Sequence, residues 1–176
     1  MNDTRLRLPK SVEADPRAPR ITARLAADLR PIWPGGVMRI ATLPMQPALA
    51  DALRSARTAN RVRRGLESIA SALDAEAHGL ARVDRESGVT RGARMSRLLF
   101  VTNDAADRFY RHVETLLVRH AARVQGLRLD IGAPALGALL FGPDALARVV
   151  LLEHKDAVAA ALLAIADVEE PAEPAG

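Results

Sequence analysis

The stretch "SRLLFVTND" at 96–104 constrains the fold most. Leu98 to Val101 are four adjacent apolar side chains bounded by polar residues. Successive side chains of a strand point to opposite faces, so a strand built from such a run needs apolar cover on both sides. "ARVVLLEH" at 147–154 makes the same demand. Between them, at about 106–124, Phe109, Val113, Leu116, Leu117 and Val124 form a stripe at helical spacing, with Asp107, Arg108, Arg111, Glu114, Arg119 and Arg123 turned outward. Strands that need cover on both faces, alternating with amphipathic helices that can supply it, read as an α/β layered sandwich.

The remaining pattern fills in that frame. "LRLDI" at 127–131 alternates like a strand, and helices are expected at 134–141, behind Pro134, and at 156–167. A helix should begin at Pro47, with Leu49, Leu53 and Ala56 on one face. Asn60 stands where a left-handed residue ends that helix, "RVR" is short enough for an edge strand, and Gly65 opens a helix carrying Leu66, Ile69, Ala70 and Leu73. Residues 75–92 read as a long loop or an extension of that helix. Asn103 or Asp104 is placed to cap the helix at 106–124, and Asp156 the last helix. The expectation is a small, mixed, four-stranded sheet.

Pro9, Pro16, Pro19, Pro31 and Pro34, followed by Gly35 and Gly36, crowd the first 36 residues. Proline removes backbone donors, so 1–46 is expected to be a Pro/Arg-rich arm, with a helical piece at 21–30 and a strand in "VMRIATL" at 37–43. The domain is then 47–167, and the acidic end 168–176 a disordered tail.

Several function classes lose their footing. The chain has no cysteine, no apolar run of about 18 residues and no secretory apolar core near its start, so a cytoplasmic protein without a membrane partner is expected. No G-x-G-x-x-G, G-x-x-x-x-G-K-[ST] or G-x-S-x-G occurs. His78, His112, His120 and His154 offer no i, i+4 pair. No cofactor, metal site or catalytic residue is expected. The enzymatic alternative is a pocket near Asp104, Asp130 and His154.

Charge points elsewhere. Residues 1–64 hold 13 Lys+Arg against 5 Asp+Glu, while 65–176 hold 12 against 16. A basic first third on a mildly acidic remainder implies a localised patch for a polyanion. Its densest part is "SARTANRVRRGLES" at 55–68, which places Arg57, Arg61, Arg63 and Arg64 around Asn60 and ends at Gly65.

"ARTANRVRRG" at 56–65, running on to "IASAL" at 69–73, resembles the entry segment of the ribosomal protein superfamily typified by L-seven-Ae and L-thirty-e. "SRLLFVTNDA" resembles that family's second strand with its acidic cap, "ALG" at 135–137 its Leu-Gly helix, and "ARVVLLEHKDAVAAAL" its closing strand and helix. The resemblance covers about 47–166. It implies a three-layer α/β/α sandwich and a non-enzymatic protein that binds structured RNA of the kink-turn or bulged kind, with ribosomal RNA as a candidate partner. The RNA would lie at Gly65, where a missing side chain lets a phosphodiester approach the positive end of a helix. Arg57, Arg61, Arg63 and Arg64 would hold phosphates, and Asn60, Glu67 and Ser68 would read base edges. The family's Asn-Glu pair after the glycine and its lysine farther along are missing, Gly65 being followed by Leu66-Glu67-Ser68 and then Ser71. That loss keeps a second reading open, a protein-interaction scaffold of the same fold whose arm docks a protein partner. The RNA reading requires the guanidinium groups to converge on the corner at Gly65.

Overall fold

A computed structural model describes residues 6–88 and 92–167. Its main sheet has five strands in the order β3 (Thr42–Leu43), β6 (Val124–Leu129), β5 (Arg97–Val101), β7 (Val149–Leu152), β4 (Val62–Arg64). β3 and β5 run parallel to β6, while β7 is antiparallel to both β5 and β4. A separate antiparallel pair is formed by β1 (Arg30–Pro31) and β2 (Arg39–Ile40). Seven helices complete the described chain: α1 (Lys10–Glu13), α2 (Ala18–Ala26), α3 (Pro47–Thr58), α4 (Leu66–Ser87), α5 (Asp107–Arg119), α6 (Ala133–Leu140) and α7 (Lys155–Ala166).

The two buried strands divide their side chains as a period of two requires. Leu98, Phe100, Val150 and Leu152 enter one core with residues of α2, α3, α6 and α7. Leu99, Val101, Val149 and Leu151 enter the other, with Ile69 and Leu73 of α4 and Val113, Leu116 and Leu117 of α5. α7 is apolar nearly all round, as a helix wedged between the sheet and three others, α1, α2 and α3, must be. Each fully buried leucine or phenylalanine stabilises the fold by about 1.5–3 kcal/mol relative to exposure.

The sheet has five strands and not four because Thr42 and Leu43 pair with Arg128 and Leu129. Nor is 1–46 an appendage. From residue 6 onward it is built into both cores, with Val12 and Ile21 fully buried in one and Ile32 and Ile40 in the other. Its prolines mark starts: Pro9 is the N-cap of α1 and Pro19 sits in the first turn of α2, where a missing N–H costs nothing. The helical piece expected at 21–30 begins earlier and ends at Ala26. Residues 75–87 continue α4 as helix. The tail at 168–176 lies outside the described residues.

Both helix caps differ from expectation. Asp104 does not cap α5, whose N-cap is Ala106 without a side-chain bond. Instead Asp104 reaches across to α6 and accepts from the Ala133 N–H. At α7 the cap is His154, whose Nδ1 accepts from the N–H of Asp156 at 3.1 Å.

Candidate nucleic-acid interface

Asn60 has φ 58° and turns the chain out of α3. β4 then pairs with β7, placing Val62 opposite Leu152 and Arg64 opposite Val150. Gly65 follows at φ 91°, a backbone state that a side chain resists. A Cβ built there would meet nothing within 4 Å, so the corner is open. α4 starts immediately, with no side-chain cap. Its first N–H groups have no intrahelical acceptor and carry the positive end of the helix dipole.

The four arginines of this stretch do not converge. Arg63 turns to one face of β4, where it pairs with Glu153 and donates to Ser68 Oγ at 2.9 Å. Arg64 turns to the other, 4.5 Å from the centre of the Phe141 ring, where Arg57 arrives from α3 at 5.2 Å. Arg61 sits at the far end of the strand, 3.9 Å from Asp156. Four residue steps along extended chain separate it from Gly65, about 13 Å.

Arg64 and Gly65 line a cleft of about 730 Å3 closed by Leu66, the 104–106 loop, Phe109 and the 146–149 segment. Arg148 joins them there, and Leu146 stands 55% exposed at its side. Arg148 is the one cationic contributor that the residue pattern did not single out. No local signal could have found it, because the start of β7 comes level with Gly65 only through the pairing of β7 with β4. Asn60, Arg57, Arg61, Arg63, Glu67 and Ser68 do not line this cleft. Glu67 belongs to a smaller groove with His112 and Arg119.

Hydrogen bonds brace the cleft wall. Tyr110 Oη donates to the Thr102 carbonyl at 2.6 Å and accepts from the Ala105 N–H at 3.1 Å, pinning the loop after β5. Asp104 holds Ala133 N–H and the Thr102 hydroxyl, both at 2.9 Å. The Ala133 bond chiefly, with the hydroxyl and nearby Arg148, holds the Asp104 carboxyl below the usual carboxylate range despite partial desolvation.

Asp104, Asp130 and His154 are not brought together. Because β7 runs against β5, its last residues lie at the opposite end of the sheet from Asp104. Asp130 accepts from Asn103 Nδ2 at 3.0 Å. Among the described residues no three His, Asp or Glu side chains gather closely enough to hold a metal ion. No described helix is long and apolar enough to cross a membrane.

No family model and no curated protein matches this sequence. A solved structure, that of a protein with unknown function from Bacillus halodurans C, is similar at 14% identity and a TM-score of 0.47, over 70% of this chain and 100% of that one.

Proposed function

We propose that this chain is a non-enzymatic RNA-binding protein of the L-seven-Ae and L-thirty-e kind, ribosome-associated, with an α/β/α sandwich that presents structured, bulged or kink-turn-like RNA to the cleft at Gly65. The observation that carries this reading is the meeting, in one cleft, of a side-chain-free helix start with two arginines, Arg64 and Arg148, neither of which has a carboxylate within ion-pair distance among the described residues. A phosphodiester suits such a place because the first N–H groups of α4 lack intrahelical acceptors and two arginines stand in the same lining. Phe109 and Leu146 give an unstacked base an apolar surface. The interface is narrower than the arginine run implied, since Arg61 and Arg63 are engaged with Asp156 and Glu153.

The test is a titration of the whole chain with a bulged RNA hairpin over a range of salt. Replacing Arg64 and Arg148 together by glutamate should weaken binding at least about tenfold and lower the salt slope by about two phosphate contacts. Arg63→Gln, away from the cleft, should leave affinity within about twofold. Unchanged binding in the double variant would remove the reading.

A further inference from the structure

β4 is an outer strand of the sheet, bonded to β7 alone. Its register says which backbone groups are spent. Glu153 N–H donates to the Arg61 carbonyl and Gly65 N–H to the Val149 carbonyl, so residues 61, 63 and 65 face β7. The N–H and C=O of Val62 and Arg64 therefore point away from the sheet, an open template for one more strand. Two guanidinium groups flank this edge on one face, Arg57 and Arg64 over Phe141, with no carboxylate within ion-pair distance of either among the described residues. A second copy of the chain is a poor occupant, because edge-to-edge pairing would set Arg63 and Arg64 against the same arginines. An acidic strand suffers no such repulsion.

We infer that β4 is a docking edge for an extended acidic segment of another polypeptide, which adds as a sixth strand through the backbone of Val62 and Arg64 and places carboxylates on Arg57 and Arg64. This goes beyond the RNA reading; Arg64 belongs to both, and Val62 and Arg57, which do not line the cleft, are what make the failure of one distinguishable from the failure of the other. Backbone bonds supply part of the affinity and the arginine pair selects the charge.

The probe is a fluorescein-labelled, acetylated eight-residue peptide alternating glutamate and valine, titrated against the full chain by anisotropy at low salt. A second peptide carries an N-methyl group on every residue and so keeps charge but loses the backbone donors of both edges. Methylation should weaken binding about tenfold or more. Val62→Pro removes an outward donor, a place where an edge strand tolerates proline, and should weaken it about threefold to tenfold; Arg57→Ala should do the same. Circular dichroism and Trp33 fluorescence check that Val62→Pro folds, and the methylated peptide tests the idea on the unaltered protein. Equal affinity for both peptides, or no binding of either, overturns the inference. So does a uridine oligonucleotide whose binding depends on Arg57 where the peptide's does not.

Discussion

The carboxylate of Asp104, at the end of β5, accepts a hydrogen bond from the backbone N–H of Ala133, the first residue of α6, at 2.9 Å. One residue thus ties a cleft loop to the start of a neighbouring helix and satisfies a donor that α6 cannot satisfy itself. Asp104→Ala should cost about 1 kcal/mol at neutral pH, the usual worth of a side-chain helix cap. The folded carboxyl is held below its ordinary value, so the stabilisation is complete above about pH 4 and is lost as pH falls through the folded value. Urea unfolding of both proteins should show the gap at pH 7 and a smaller one at pH 3. A constant gap would contradict the role of ionisation.

Glu114 clamps the β1–β2 turn. Its carboxylate accepts from Trp33 Nε1 at 3.1 Å and from the N–H groups of Val37 and Met38, each at 2.9 Å, while Arg111 lies 4.4 Å from the Trp33 ring. Glu114→Ala should remove about 2 kcal/mol, as expected when charge-assisted bonds are lost. Trp33 is the chain's single tryptophan, so its emission should shift to the red and the amides of Val37 and Met38 should exchange faster. Glu114→Gln, which keeps an acceptor, should fall between.

Ile21 is fully buried in the core shared by α2, α3 and α7. Ile21→Ala should destabilise by about 2–5 kcal/mol. Deleting 1–46 removes Ile21 along with β3 and bares one side of β6, so the remaining chain should fail to unfold cooperatively in a calorimeter. A sharp transition in that fragment would show that 47–167 folds without its leading segment.

Gly137 packs so closely against the chain after α6 that a Cβ would lie 1.9 Å from the Ala145 carbonyl oxygen. Backbone cannot swing aside as a flexible side chain can. Gly137→Ala should therefore cost about 3 kcal/mol, at the upper end for overpacking, read as a loss of thermal midpoint. The same substitution at Gly79, where nothing lies within 4 Å, should be neutral or slightly stabilising.

The strongest periodic elements were legible in the residues: β5 and β7 from their apolar runs, α5 from its stripe, α7 from its small apolar residues. The leading segment was legible only in part: the helical piece at 21–30 overlaps α2, and the strand expected at 37–43 is divided between β2 and β3, but β1, β2 and β3 span two residues each and show no alternation that would tell how they pair. Prolines there stand at helix starts, Pro9 and Pro19, and in a strand, Pro31. At the site, the glycine corner and the left-handed Asn60 could be read directly. The spread of the arginines also followed from the strand assignment, since neighbours on a strand, Arg63 and Arg64, must point to opposite faces. What no local pattern carries is pairing: that Glu153 would engage Arg63, or that Arg148 would arrive beside Gly65 across an antiparallel strand.

The placement of β7 fixes an order of assembly. It follows β4, β5 and β6 in the chain, yet it lies between β5 and β4. On the ribosome β4 therefore waits, with no neighbour to bond, until Leu152 has emerged, while β5 and β6 can already pair around α5. During that interval the positive charge of Arg61, Arg63 and Arg64 discourages the nascent edge from joining its like on a neighbouring chain.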